Sequence, residues 1–263
     1  MNYLFATNSI ILAKKIALMK NHTIWIDLEK EGKLLRQGNN TRISDHSIND
    51  ILKIKKCVNV DILSRVNPIG RESRYEIEKA IDFGANRVML PMFQTEKEVE
   101  IFLKIVNGRA KSSLLFETGA SFARMPIIMK IKEVDEVHLG INDLHKSFGL
   151  DFMFELLAYG MIDIFVELAI KFNKSYGFGG ITSLGSGLLK SELVLAEQKF
   201  LGCHTTIISR DLQKIAFNDF ENYKREIDRI EKYMNEINSN DHLLKDEIRC
   251  DIINKVNEIR HVI

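Results

Sequence analysis

The chain alternates between two patterns: short apolar runs, and stretches in which apolar residues recur at helical spacing between charged residues. Runs of the first kind are typical of buried strands, and stretches of the second kind are typical of amphipathic helices. Eight runs fit the strand pattern, at residues 3–7, 23–28, 60–66, 87–92, 113–117, 136–140, 175–180 and 204–209. Several are almost wholly apolar, as in parallel sheets covered on both faces. Eight strands alternating with helices predict an α/β fold, a (β/α)8 TIM barrel, more than an open doubly wound sheet.

The composition changes at about residue 218, after which charged residues become dense. We therefore predict a barrel catalytic domain at 1–217 and a C-terminal helical extension at 218–263, with a break near 238–240. The extension carries an apolar stripe at helical spacing, formed by Tyr223, Ile227, Ile230, Met234 and Ile237. Such a stripe needs a cover. Two alternatives remain: the stripe packs against the surface of the barrel itself, or it packs against a second copy of the chain in a homo-oligomer.

Length and composition narrow the class of protein. The 263 residues suit a single barrel, which typically needs about 250 residues. Lysine plus arginine number 37 against 36 acidic residues, and the formal net charge of +1 gives no long-range attraction to nucleic acid or an anionic membrane. Three widely spaced cysteines favour a reducing compartment and lack zinc-site spacing. No uncharged apolar run approaches the length of a membrane span, so we predict a cytoplasmic protein.

Two of the predicted strands end in acids. Glu117 closes the fifth strand, and Asp143 lies just beyond the sixth. In a parallel barrel the carboxyl ends of all strands meet at one mouth, where the active site lies. Two carboxylates there suit an octahedral Mg²⁺ or Mn²⁺, whereas zinc prefers histidine or cysteine. The alternative is that both acids only cap the helices that follow.

An arginine at a strand end is a candidate for substrate contact. Arg65 ends the third apolar run, so its side chain is expected at the same mouth. A guanidinium offers paired donors and keeps its charge, which suits it to hold a carboxylate or to stabilise an enolate oxygen. An exposed surface position is the other interpretation.

Several motifs together resemble one known family. They are WIDLE at 25–29, SRVNP at 64–68, AIDFGANRVMLPMFQTEKEVE at 80–100, LLFET at 114–118 and VHLGINDLHKSFGLD at 137–151. The chain thereby resembles the HpcH/HpaI class II aldolases and citrate lyase β subunits of the phosphoenolpyruvate/pyruvate-binding barrel superfamily. GINDLHKSFG is the most specific of these matches, because it follows the family pattern G-x-x-D-L-x-x-S-x-G.

The resemblance implies roles for individual residues. Glu117 and Asp143 match the metal-binding acids of the family, with Mg²⁺ or Mn²⁺ expected, and Arg65 matches the arginine that faces the keto or enolate oxygen of the pyruvate unit. The backbone amides from Gly140 through Asn142 to Asp143 are candidates for holding the carboxylate of a 2-oxo acid.

The chain departs from the family behind the strand that ends at Asp27. The aldolase branch usually has a Glu-His pair there, whereas this sequence reads DLEKEGK and has no histidine. Glu29 is then a candidate substrate-binding residue at the mouth. His46, farther along, is a candidate replacement for the missing catalytic base, because an imidazole of near-neutral pKa can move the aldol proton. Alternatively, His46 simply precedes the helix N-cap at Ser47.

The resemblance implies a divalent-metal-dependent carbon–carbon lyase that cleaves or forms a 2-oxo acid through a pyruvate enolate, with an aldehyde as second partner. Two alternatives stay open. One is a citrate-lyase-β-like acyl-CoA lyase, suggested by the DLE and RVN motifs, and the other is a non-catalytic binding subunit that keeps the metal site.

Overall fold

A computed structural model of the protein describes residues 1–30 and 44–260. All eight predicted strands are present and form a closed parallel barrel in the order β1 to β8. The strands are β1 Asn2–Ala6, β2 His22–Asp27, β3 Ile62–Arg65, β4 Arg87–Leu90, β5 Lys111–Phe116, β6 Glu136–Leu139, β7 Ser175–Ile181 and β8 Thr205–Ile208. The (β/α)8 barrel is therefore confirmed, and its strands are the predicted runs, shifted by a residue or two at their ends.

Helices connect the strands and cover the barrel. They are α1 Ile10–Ile16, α2 Ile48–Cys57, α3 Ser73–Asp82, α4 Glu96–Val106, α5 Gly119–Ala123, α6 Met125–Ile128, α7 Ile141–Ser147, α8 Glu155–Ala158, α9 Met161–Lys171, α10 Ser191–Phe200 and α11 Arg210–Asn218. Two large apolar clusters fill the space between the strands and these helices, as expected for strands that are buried on both faces.

The barrel interior contains its own small apolar cluster. Side chains alternate along a strand, so residues two apart share a face. The interior cluster consists of Leu4, Trp25, Leu63, Met89 and Leu115. On β2, β3 and β5, the residue two positions after the interior residue is polar, and it lies at the carboxyl end of the strand. The apolar cluster thus forms a floor, and the polar residues above it form the mouth.

The C-terminal extension consists of α12 Phe220–Glu236 and α13 His242–Arg260. The stripe predicted on it is buried within the chain, and Tyr223 is fully buried. The Tyr223 ring packs edge-on against Phe5 at 5.4 Å, and its hydroxyl lies 2.9 Å from His22 Nε2 at the start of β2. The barrel itself is therefore a cover for this stripe, at the end opposite the mouth. A homo-oligomer stays a prediction.

Helix α13 is fixed by buried charge. The Arg249 guanidinium contacts Glu197 of α10 at 2.5 Å and Asp163 of α9 at 2.9 Å. Glu197 is completely buried, so its charge depends on this arginine for a partner. Of the helices between residues 1 and 260 that the structure describes, none has the length and apolar character required to cross a membrane.

Candidate active site

Neighbouring strands bring an aspartate and an arginine together at the mouth. In the parallel register of β2 and β3, Asp27 lies opposite Arg65. Arg65 Nε donates to Asp27 Oδ1 at 2.9 Å, and Nη2 donates to Oδ2 at 2.9 Å. Both side chains are largely buried. The two parallel bonds fix the plane of the guanidinium, which a single contact would not do.

Two further contacts complete the surroundings of Arg65. Its Nη1 lies 3.1 Å from Glu29 Oε2, and its guanidinium carbon lies 4.8 Å from the centre of the Trp25 ring. Burial by itself would lower the pKa of Arg65, but Asp27 and Glu29 raise it above its ordinary value. The arginine thus stays charged in the mouth, and its predicted position is the one that the structure describes.

Glu117 is the carboxylate at the end of β5. It is almost fully buried, and its Oε1 accepts a hydrogen bond from the backbone N–H of Met92 at 3.0 Å. Met92 has a left-handed backbone with φ of 55°, an uncommon conformation for a residue other than glycine. Burial raises the pKa of Glu117 to about 8; Arg65 opposes this rise, and the nearby Glu29 and Asp143 add to it.

Glu117 and Asp143 therefore share one region, as the sequence predicts. Asp143 lies in the first turn of α7, which begins directly after Gly140, and Gly140 lies against the Glu117 side chain. Asp143 also contributes to the raised pKa of Glu117. No set of three histidine, cysteine, aspartate or glutamate side chains converges as a metal site within residues 1–30 and 44–260. The donor chemistry nevertheless fits Mg²⁺ or Mn²⁺, because these ions accept one or two carboxylates and complete their shell with water or substrate. A cation would also favour the ionised form of the buried Glu117.

Gly140 has a role that the sequence did not predict. Its backbone N–H donates to the Phe116 carbonyl at 2.9 Å, as part of the barrel, so this amide is already engaged, and its contact with a substrate carboxylate stays a prediction. A Cβ at this position would lie 2.9 Å from Glu117 Cβ and 3.0 Å from Glu117 Oε2. Glycine is required because it leaves room for the Glu117 carboxylate. Asn142 is exposed in the first turn of α7, and its contact with substrate stays a prediction.

His46 lies at the mouth, where one of its ring nitrogens is engaged with the backbone, and its role as the base stays a prediction. Its Nδ1 accepts a hydrogen bond from the backbone N–H of Asp27 at 2.9 Å. A neutral imidazole that accepts at Nδ1 carries its proton on Nε2. A second proton could be added only at Nδ1, against the Asp27 N–H. The ring is therefore a hydrogen-bond donor at Nε2. The N-cap interpretation of the neighbouring Ser47 is confirmed, because Ser47 and Asp50 form a capping box.

Sequence reasoning missed two contributors to the mouth. Asp27 appeared only as the end of a strand, although its place opposite Arg65 follows from aligning the ends of β2 and β3. Trp25 is the only tryptophan of the chain and forms the floor under Arg65. The signal for both was the alternation in WIDLE, which puts positions 25 and 27 on the same face of β2.

Comparisons with known proteins agree with this barrel. The HpcH/HpaI aldolase/citrate lyase family model matches residues 1–153. A solved family protein from Burkholderia cenocepacia J2315 is similar with a TM-score of 0.64 at 12% identity, over 85% of this chain and 93% of that chain. A citrate synthase is similar with a TM-score of 0.62 at 15% identity, over 87% and 94%. No curated protein sequence matches the chain.

A citrate lyase β subunit from M. tuberculosis, complexed with oxaloacetate and magnesium, is also similar, with a TM-score of 0.59 at 16% identity over 81% of this chain and 92% of that chain. At these identities the solved structures show the fold. The family model covers more than half of the sequence, and the chain belongs to the HpcH/HpaI aldolase/citrate lyase family.

Proposed function

We propose that the protein is a divalent-metal-dependent carbon–carbon lyase of the class II aldolase type, which cleaves or forms a 2-oxo acid through a pyruvate enolate and uses an aldehyde as the second partner. The observation that supports this most is the position of Glu117. A buried carboxylate with a raised pKa, beside a second acid and facing a charged arginine, is typical of a site that receives a cation and an anionic substrate.

Glu117 and Asp143 would hold Mg²⁺ or Mn²⁺. When bound, the ion would supply a positive charge that polarises the keto group of the substrate. The protein contributes the orientation of these ligands: the Met92 N–H fixes one oxygen of Glu117, and Gly140 leaves space for the carboxylate. Oxaloacetate and magnesium are bound by the citrate lyase β subunit of similar fold, which supports a related ligand class here.

Arg65 would stabilise the oxygen that becomes negative. In the cleavage direction, a base takes the proton of the aldol hydroxyl, the carbon–carbon bond breaks as that oxygen forms the aldehyde carbonyl, and the electron pair of the broken bond passes to the pyruvate unit as the enolate. His46 is the candidate base that the sequence predicts. A preorganised guanidinium stabilises this developing charge most when its position is fixed beforehand. The paired bonds to Asp27 provide that preorganisation, and the Trp25 floor keeps the guanidinium facing the mouth.

The fold similarity to a citrate lyase β subunit supports a second candidate function, an acyl-CoA lyase. The two functions differ in the leaving partner, because one releases an aldehyde and the other an acyl-CoA. Thermal unfolding with and without CoA separates them. A rise in Tm with CoA would favour the acyl-CoA lyase, whereas CoA would leave the Tm of an aldolase unchanged. The predicted cytoplasmic location and homo-oligomer are parts of either proposal.

The experiment that tests the site is calorimetric titration of oxalate, a mimic of the pyruvate enolate, into metal-free protein with and without Mg²⁺. A Glu117→Gln/Asp143→Asn double variant is compared with a Glu167→Gln/Asp228→Asn control, whose two acids are exposed and remote from the mouth. We expect the wild type and the control to bind oxalate when Mg²⁺ is present, and the site variant to lose this binding. Wild-type protein that binds Mg²⁺ but not oxalate would refute the lyase and favour a non-catalytic binding subunit that keeps the metal site, whereas protein that binds neither would refute both.

A further inference from the structure

Glu29 occupies a donor of Arg65 that a substrate would use. Arg65 commits Nε and Nη2 to Asp27, so Nη1 is the remaining nitrogen of the guanidinium, and Glu29 Oε2 lies 3.1 Å from it. The Glu29 side chain is 2% exposed. A carboxylate of the protein thus binds the arginine in the same manner as the carboxylate or enolate oxygen of a 2-oxo acid would.

The position of Glu29 is built into the fold. The residues on either side of it are both held by Asn67, which follows β3. The Lys30 N–H donates to Asn67 Oδ1 at 2.8 Å, and Asn67 Nδ2 donates to the Leu28 carbonyl at 3.2 Å.

Asn67 is in turn fixed by α3. Its backbone N–H and its side-chain amide donate to the two oxygens of Glu76, at 2.8 Å and 2.7 Å. The Leu28 N–H also donates to the Arg65 carbonyl at 2.8 Å. This chain of bonds ties residues 28–30 to the strand that bears Arg65, so the contact between Glu29 and Arg65 does not depend on the rotamer of one surface side chain.

We propose that Glu29 is a resident carboxylate which competes with a 2-oxo acid for Arg65 Nη1, so that Glu29 lowers the affinity of the mouth for anionic ligands. The proposal rests on the proposed function and differs from the expectation that Glu29 binds substrate. A residue that binds substrate lowers affinity when it is removed, whereas a resident competitor raises affinity when it is neutralised.

The test compares oxalate binding by wild type, Glu29→Gln and Glu167→Gln in excess Mg²⁺, followed through the emission of Trp25. This signal is specific, because Trp25 is the only tryptophan and lies under Arg65. We expect Glu29→Gln to bind oxalate about tenfold more tightly than wild type, since a charge-assisted bond to Arg65 no longer competes. Glu167→Gln is expected to match wild type. Unchanged or weaker binding by Glu29→Gln would overturn the proposal.

A second variant decides the matter if Glu29→Gln does not fold. Asn67→Ala releases residues 28–30 while the charges of Glu29 and Arg65 remain, so the hold of Glu29 on Nη1 weakens and oxalate should bind about threefold more tightly. Weaker or unchanged binding would overturn the proposal here as well. The experiment separates this proposal from the proposed function. If only the role of Glu29 is wrong, the wild type still binds oxalate with Mg²⁺. If the proposed function is wrong, the wild type does not bind oxalate.

Discussion

Asp27 and Arg65 form a two-point ion pair across neighbouring strands, with both N–O distances at 2.9 Å. The pair joins the ends of β2 and β3 and lies directly above the Trp25 ring. Because the two bonds to Asp27 fix the guanidinium plane, Nη1 keeps one orientation, toward Glu29 and toward a ligand that takes its place. This geometry predicts that charge alone does not suffice at position 65.

Replacing Arg65 by lysine should therefore weaken ligand binding even though the charge is kept. A lysine ammonium is a point charge and cannot make the paired bonds to Asp27. We expect the Kd for oxalate in excess Mg²⁺ to rise roughly 10- to 100-fold, or about 1–3 kcal/mol, by calorimetry. The matched control is Arg74→Lys in the exposed pair with Glu78, which should leave the Kd unchanged. Equal affinity of Arg65→Lys and wild type would show that the paired geometry is unimportant.

The raised pKa of Glu117 predicts a stability difference that depends on pH. Below about pH 4.5, the carboxyl is protonated in both the folded and the unfolded chain. Between pH 4.5 and about 8, the unfolded chain releases this proton while the folded chain keeps it, so the contribution of Glu117 to the free energy of unfolding falls as pH rises. Glu117→Gln does not titrate, and we expect it to exceed metal-free wild type by about 2–4 kcal/mol at pH 8.5.

Urea unfolding of the two proteins at pH 5 and pH 8.5 measures this difference, which should be much smaller at the lower pH. Excess Mg²⁺ at pH 8.5 should stabilise the wild type but not the variant, because only the wild type has the complete pair of carboxylates. A difference that does not vary with pH would mean that Glu117 is ionised in the folded chain at both values.

Gly140→Ala should damage the site through contact with Glu117. The added Cβ would lie 2.9 Å from Glu117 Cβ, closer than carbon atoms approach, so one of the two must move. We expect a loss of about 1–3 kcal/mol in the free energy of unfolding together with weaker Mg²⁺ binding. Gly119→Ala serves as control, because its Cβ would meet no atom closer than 3.3 Å. Mg²⁺ affinity equal to wild type in Gly140→Ala would contradict the steric role.

Removing the charge of Arg249, which pairs with Glu197 and Asp163, tests how the C-terminal extension is attached to the barrel. Arg249→Met leaves the fully buried Glu197 without its arginine, and we expect a loss of about 2–3 kcal/mol in urea unfolding. Glu197→Gln added to Arg249→Met should recover part of this loss, because the uncompensated charge is then removed. Arg225→Met, in an exposed pair at 3.8 Å, should change stability by less than about 0.5 kcal/mol. Additive losses in the double variant would refute a dependence of Glu197 on Arg249.

The barrel could be predicted from the sequence, whereas parts of the mouth could not. Strands buried on both faces give apolar runs that a single sequence displays. Arg65 is the last residue of its strand, and Glu117 and Asp143 come shortly after theirs. The partner of Arg65 was missed because Asp27 is 38 residues away, and only the register of β2 against β3 makes them neighbours.

Other features depend on which donor meets which acceptor. The Gly140 amide is used by the Phe116 carbonyl, and His46 Nδ1 is used by the Asp27 amide. Residue type does not reveal either bond, so both residues looked available for chemistry. The stripe on α12 likewise predicts burial but leaves its cover undetermined.

The bonding of His46 can be tested by an isosteric acceptor. An asparagine oxygen can replace Nδ1 as the acceptor for the Asp27 N–H but cannot act as a base near neutral pH. If His46 serves through this hydrogen bond, His46→Asn should keep the rate of exchange of pyruvate methyl protons in D₂O with Mg²⁺ within about threefold, as followed by NMR, whereas His46→Ala should lose about tenfold or more. His242→Asn, an exposed position at the start of α13, controls for the loss of an imidazole. Equal losses in His46→Asn and His46→Ala, with His242→Asn unaffected, would restore the catalytic base that the sequence predicts.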